Sequence, residues 1–123
     1  MEHLQSNEKH MLVIRSQQME ILGRAVIRQF EDQMAAHVRE RFPDSPFAAD
    51  DDTLRNFVLD TIKLAKTFGI EQQFDLRRFI EFRAEYGANF HRLDWASKIL
   101  ADPTLSGCGK MEQIDDYSLY VLR

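Results

Sequence analysis

The chain has 123 residues, of which 44% are hydrophobic and 29% charged, and this balance predicts one compact domain and excludes a disordered chain. Sixteen basic and twenty acidic residues leave a net charge of −4, which lacks the basic footprint of a nucleic-acid binder. The single cysteine suits a reducing compartment, and no apolar stretch has the length of a signal peptide or a membrane span. We therefore expect a cytoplasmic protein with no nucleic-acid and no membrane partner.

The first ten residues are polar and lack periodicity, so a disordered extension is predicted over 1–10. A short apolar, β-branched segment follows at 11–14, and Met11 is a candidate for the native start. This segment and the similar stretch at 117–122 either pair with each other or add as strands to another protein.

A long amphipathic helix is the clearest pattern in the sequence. Ser16 is a candidate N-cap for a helix that begins at Gln17, and Pro43 and Pro46 end it. Apolar side chains recur along it at spacings of three and four, and they are Met19, Leu22, Val26, Phe30, Met34, Val38 and Phe42. We expect this stripe to face the core.

Three shorter helices are predicted after the proline-containing loop. The second helix runs from the aspartates at 50–52, which complement the helix dipole, to a glycine stop at Gly69. The third spans about 74–86, and a short fourth begins at Asp94 and ends before Pro103. The predicted fold class is all-α, a small helical bundle with one long N-terminal helix, two medium helices and a short fourth helix.

The C-terminal part of the chain is ambiguous. A glycine-rich turn at 106–109 is predicted to break regular structure, which bounds the helical domain at 11–105. The spacing of apolar residues in 111–117 suits a helical turn, whereas 117–122 is β-prone. We treat 106–123 as a C-terminal tail that is a candidate for partner docking, with its conformation open.

No motif for catalysis or metal binding is complete. His37 has no histidine partner at helical spacing, Gly109 and Lys110 lack the rest of a phosphate-binding loop, and the aspartates at 50–52 lack the spacing of a calcium loop. We therefore predict no catalytic residue, no metal and no cofactor.

One enzymatic alternative stays open, and it would use His91, Asp94 and Cys108. The charged neighbours of His91 are of a kind that shifts a histidine pKa. Cys108 lies two residues before Lys110, which favours a thiolate. Neither residue has the second group that nucleophilic catalysis requires nearby in sequence.

Aromatic residues are concentrated between positions 74 and 95. Such a density indicates either a large aromatic core or a surface that binds a partner. Phe82 falls off the apolar stripe of its helix, so we expect it to point outward. The candidate partner-binding residues are Phe82, Tyr86, Phe90, Trp95, Tyr117 and Tyr120.

Scattered positions along the chain resemble a family of small bacterial proteins encoded in type VI secretion effector clusters. The resemblance covers about residues 11–101. It is carried by the run 12–19 at the start of the long helix, Gly69, Ile70, Asp75, Arg78, Phe79, Gly87, Phe90, Trp95, Ala96, Ile99 and Leu100. In such clusters the family is encoded beside a spike-tip protein, a toxin and an adaptor chaperone.

The resemblance implies a non-enzymatic accessory role. The expected protein is a co-chaperone that helps the adaptor hold an effector and deliver it to the secretion spike. Its expected partner is the adaptor chaperone, the effector or the spike-tip protein. An immunity protein that binds and neutralises a toxin directly is the alternative among protein binders.

Overall fold

The computed structural model describes residues 24–122, and every regular element in this range is an α-helix or a 3-10 turn. The elements are α1 over 24–41, a 3-10 turn at Pro46–Ala48, α2 at Asp51–Thr67, α3 at Gln73–Tyr86, a 3-10 turn at Phe90–Arg92, α4 at Asp94–Leu100 and α5 at Gly107–Tyr120. No strand occurs between 24 and 122, so the predicted all-α class is confirmed. No helix in that range is both long and apolar enough to cross a bilayer. The predictions for 1–10 and 11–14 and the expected helix start at Gln17 lie outside the described residues.

Within the described part of α1, the apolar stripe enters the core from Phe30 onward, and the predicted stripe residues Met19 and Leu22 lie outside the described residues. Phe30, Met34 and Val38 are buried, and Phe42 is partly buried against the same core. Val26, one turn before Phe30, is 47% exposed, so its predicted place in the core is wrong. The described end of α1 therefore projects an apolar edge beyond the bundle.

Helix α2 begins and ends with the signals that the sequence predicts. The carboxylate of Asp50 accepts hydrogen bonds from the backbone N–H and the hydroxyl of Thr53, at 2.8 and 2.9 Å, and these bonds lower the pKa of Asp50. At the other end the Gly69 and Ile70 N–H groups donate to the carbonyls of Lys66 and Ala65. Gly69 has a φ of 79°, as this C-terminal motif requires.

Helix α5 corrects the prediction that 106–109 breaks regular structure. The Ser106 hydroxyl accepts a hydrogen bond of 3.0 Å from the Gly109 N–H and caps the helix that begins at Gly107. Met111 and Ile114 are fully buried in the same core as the other helices. The core therefore continues past residue 105, where the sequence placed the end of the helical domain.

Phe82 also departs from its prediction, because it is 4% exposed and points inward. Its ring stacks on that of Phe90 at 5.4 Å, and the guanidinium of Arg78 lies 5.2 Å from its centre. The side chains of Phe82 and Ser118 line one small cavity, which places α5 beside this face of α3. The Phe82 ring is therefore buried by Phe90, Tyr86 and Arg78, in a region where α5 also lies close to α3.

A partly buried ionic network joins α1, α3 and α5. The Arg78 guanidinium donates to Glu81 at 2.8 Å and to Asp115 from its Nε at 3.1 Å, and His37 Nε2 donates to the other Glu81 oxygen at 2.9 Å. Burial acts to raise the pKa of Glu81, but the bonds from His37 and Arg78 outweigh it and hold that pKa below its usual range. The network fixes α5 against α3 and so positions the surface described next.

Candidate functional site

A continuous aromatic cluster runs from the core to the surface across α3, α4 and α5. Phe82 stacks on Phe90, Phe90 meets Trp95 edge-on at 5.7 Å, and Trp95 stacks on Tyr117 at 4.7 Å with an angle of 6° between the rings. Tyr86 contacts both Phe90 and Trp95 at 6.1 Å. Five of the six predicted partner-binding residues therefore form one connected set.

The members of this cluster differ in how far their side chains are exposed to a partner. Phe82 and Phe90 are buried, so their predicted place on a binding surface is wrong. Tyr86, Trp95 and Tyr117 are partly buried and form the transition to the surface. Tyr120, the sixth predicted residue, is 81% exposed.

Trp95, Tyr117 and Tyr120 lie in one open groove between α4 and α5, which we call the α4–α5 groove. Its volume is about 710 Å³. Its α4 wall is formed by Asp94, Trp95, Lys98 and Ile99, and its α5 wall by Gln113, Asp116, Tyr117, Tyr120 and Val121. Both helices are anchored in the core on their other face, because Ala96 and Leu100 of α4 and Ile114 of α5 are buried there.

The end of α5 extends this groove with exposed apolar side chains. Leu119, Tyr120, Val121 and Leu122 are all exposed. The N–H groups of Val121 and Leu122 both donate to the Tyr117 carbonyl, so the chain keeps a helix-like turn to this point. The strand predicted as one alternative for 117–122 is therefore wrong. Consecutive exposed apolar residues are unusual on a surface that contacts only water.

Two carboxylates and one ammonium group surround the apolar floor of the α4–α5 groove. Asp94 stands on the α4 wall, Asp116 on the α5 wall, and Lys98 between them on α4. All three residues are exposed, and none forms an ion pair with another residue of 24–122. These charges are therefore free to contact a ligand from outside this range.

Sequence reasoning missed five groove residues, which are Lys98, Ile99, Gln113, Asp116 and Val121. Trp95 and Ile99, and Tyr117 and Val121, stand at i,i+4 spacing, which places each pair on one side of its helix. This signal was available for α4. For α5 it required the knowledge that 107–120 is helical.

The residues of the enzymatic alternative remain separate in the structure. His91 lies in the second 3-10 turn, with its ring 6.4 Å from that of Phe68, and its pKa is lowered by burial and by the charges of Arg83 and Arg92. Cys108 is exposed at the start of α5. No hydrogen bond or ion pair joins His91, Asp94 and Cys108. Within 24–122, no group of three or more His, Cys, Asp or Glu side chains is placed to hold a metal ion.

A second apolar surface lies where α1 crosses α2 and α3. Ile27, Phe30, Ile62 and Leu76 line a groove of about 390 Å³ there, together with polar side chains of Lys66, Glu71 and Gln73. Phe74 follows Gln73 in α3 but does not line this groove, and it is 70% exposed. This surface holds none of the six predicted residues.

Comparison of the chain with models of protein families, with curated proteins and with solved structures gives no match.

Proposed function

We propose that this protein is a non-enzymatic accessory factor that binds another protein, a co-chaperone that assists the loading of a type VI secretion effector onto its adaptor. The observation that carries the proposal is the α4–α5 groove, whose aromatic floor continues into exposed apolar side chains at the end of α5. Trp and Tyr side chains in such positions supply most of the energy at protein interfaces.

The stacking of the groove favours binding without large rearrangement. Trp95 and Tyr117 contact each other face to face, and the ring of Phe90 contacts Trp95 edge-on. Side chains that are already ordered lose little conformational entropy when a partner covers them. The exposed Tyr120 can then close over the partner from the rim.

The partner class follows from the resemblance to proteins of type VI effector clusters. The expected partner is the adaptor chaperone, the effector or the spike-tip protein that is encoded beside this chain. A co-chaperone acts on these proteins in the cytoplasm before secretion, where the single cysteine, Cys108, is expected to stay reduced.

Co-expression of the full chain with each neighbouring protein tests the proposal. We expect co-purification of one of the three in a defined ratio, measured by light scattering of the eluted complex. If none of the three co-purifies, the proposal is wrong.

Survival of cells that express the toxin separates the co-chaperone from an immunity protein. A co-chaperone is expected to give no protection when it is expressed alone with the toxin. Protection by the chain alone would contradict effector loading and identify an immunity protein.

A further inference from the structure

We infer that the α4–α5 groove receives an amphipathic helix of the partner protein, with an apolar stripe flanked by basic residues. The inference rests on the proposed function and adds the chemistry of the segment that is bound.

The shape of the groove favours a helix over an extended strand. Both walls are α-helices, whose interior N–H and C=O groups are already bonded within the helix, so they offer no edge to which a strand can add. The apolar side chains instead form two rows at helical spacing, Trp95 and Ile99 on one wall and Tyr117 and Val121 on the other. Because Trp95 and Tyr117 stack on each other across the two walls, a partner helix lies over the stacked rings and contacts the two rows with its side chains at i, i+3, i+4 and i+7.

The charges of the groove determine the polar flanks of that helix. Asp94 is on the α4 wall and Asp116 on the α5 wall, so a helix that lies over the stacked rings meets a carboxylate from each wall. Glu112 is exposed one turn before Asp116 and continues the acidic rim along α5. Lysine or arginine on both flanks would pair with these groups, whereas acidic flanks would meet like charges.

The exposed ring of Tyr120 adds a second preference for a basic segment. An aromatic face attracts a cation through its quadrupole, and Tyr120 is open to solvent at the end of the α5 wall. Lys98 is the only cation among the described residues that line the groove, and these residues carry two carboxylates. An acidic or neutral partner helix would therefore gain less from this surface than a basic one.

Two synthetic amphipathic peptides with the same leucine stripe, one flanked by lysine and the other by glutamate, test the inference on the full chain. Trp95 is the only tryptophan of the chain and lies on the groove floor, so its fluorescence reports binding there directly. We expect the lysine peptide to change the Trp95 emission and to bind about 10-fold more tightly than the glutamate peptide, with an affinity that falls as salt rises. Equal binding of both peptides, tighter binding of the glutamate peptide, or no binding of the lysine peptide would overturn the inference.

Two variants separate groove binding from general attraction to an acidic protein. Tyr120→Asp removes an apolar contact but adds a negative charge, so we expect the lysine peptide to bind about 10-fold more weakly if it sits in the groove. Attraction by charge alone would make the same variant bind at least as tightly as the wild type, which would contradict the inference. The double variant Asp94→Asn with Asp116→Asn should lose about 5-fold, and Asp44→Asn, an exposed carboxylate in the loop after α1, should lose nothing.

Other occupants of the groove give distinct results in the same assay. If a second copy of the chain fills it, light scattering shows a dimer that Tyr120→Asp dissociates. If the chain's own apolar segment at 11–14 fills it, Ile14→Asp alters the Trp95 emission without any peptide. Either result overturns the inference.

The co-expression experiment tests the proposed function independently of the peptide experiment. Binding of a neighbouring protein without binding of the lysine peptide leaves the co-chaperone role intact and refutes only the basic helix. Failure of every neighbour to bind refutes the co-chaperone role itself.

Discussion

Gly107 shows how one residue decides where α5 can lie. A Cβ at this position would stand 2.1 Å from the carbonyl oxygen of Gly69 and 2.9 Å from the Cα of Ile70. Both are backbone atoms, so the contact between α5 and the turn after α2 has no room for a side chain. The glycine that suggested a break in the sequence is needed for this close approach.

We predict that Gly107→Ala destabilises the fold by about 3 kcal/mol, because α5 must move away from the turn after α2. Urea denaturation followed by circular dichroism measures the change. The matched control is Gly109→Ala, where the new Cβ meets the Ser106 hydroxyl at 3.3 Å and loosens that N-cap, while the higher helix propensity of alanine offsets the loss, so the expected change is within about 1 kcal/mol. Equal effects of the two substitutions would show that the close contact at Gly107 is not needed.

Phe82 gives a second prediction at the scale of one residue. Its ring is buried against Phe90, so Phe82→Ala should cost about 3 kcal/mol in the free energy of unfolding. Phe74→Ala, which shortens an exposed ring on the same helix, should change it by less than about 0.5 kcal/mol. Thermal and urea melts of both variants check this, and a Phe82→Ala protein as stable as the wild type would place the ring at the surface after all.

At the scale of elements, Arg78 is the residue that ties α3 to α5. We predict that Arg78→Met lowers the free energy of unfolding by about 2 kcal/mol, because it removes the cation that pairs with the partly buried Asp115 and leaves Glu81 with only its bond from His37. The matched control, Arg55→Met, breaks an exposed pair with Asp32 on α1 and should cost less than about 0.5 kcal/mol. Chemical denaturation of the two variants compares them, and similar costs would contradict a structural role for the network.

The ionisation of Asp75, on α3, makes the stability of the protein depend on pH. Burial first, and then the nearby charge of Asp115, raises the pKa of Asp75 above its usual value of 3.8. A carboxyl whose pKa is raised by folding holds its proton more tightly in the folded state than in the unfolded state. At a pH above the ordinary pKa of 3.8, ionisation of Asp75 therefore lowers the stability of the folded state. Asp75→Asn should therefore raise the urea midpoint at pH 7, and the gain should vanish below pH 3.8. A gain that persists unchanged at low pH would assign the effect to something other than ionisation.

The elements that could be predicted are those whose signals are local. The cap at Asp50, the stop at Gly69 and the buried residues Phe30, Met34 and Val38 are all readable from spacing and residue type. Helix α5 could not be predicted, since two glycines in its first turn lower its helix propensity and only tertiary contacts select the helix. These contacts are the approach of Gly107 to Gly69 and the burial of Met111 and Ile114.

The errors in the candidate site follow from tertiary packing. Phe82 is buried because Phe90, in the 3-10 turn after α3, stacks on its ring, and spacing along α3 alone does not show this contact. Helix α5 brings Tyr117 and Tyr120 beside Trp95, from more than twenty positions away in the chain. Residue types therefore predicted an aromatic cluster, whereas its division into a buried part and an exposed groove depends on the packing of α5.

At the scale of the whole molecule, both apolar surfaces are candidates for the binding site of the partner protein. The α4–α5 groove combines ordered aromatic rings with free charges, and the apolar part of the surface formed by α1, α2 and α3 consists of Ile27, Phe30, Ile62 and Leu76. Substitutions of exposed residues at either surface should leave the fold intact, because those side chains contribute little to the core. Binding can therefore be separated from stability in this protein.

The most direct test is the dissociation constant of the full chain for the neighbouring protein that co-purifies with it, measured by titration calorimetry for three versions of the chain. We predict that Tyr120→Asp weakens binding by about 10-fold or more with an unchanged melting temperature, whereas Phe74→Asp binds as the wild type does. Loss of binding in Phe74→Asp but not in Tyr120→Asp would contradict a partner site in the α4–α5 groove and place the partner on the face of α3 that carries Phe74.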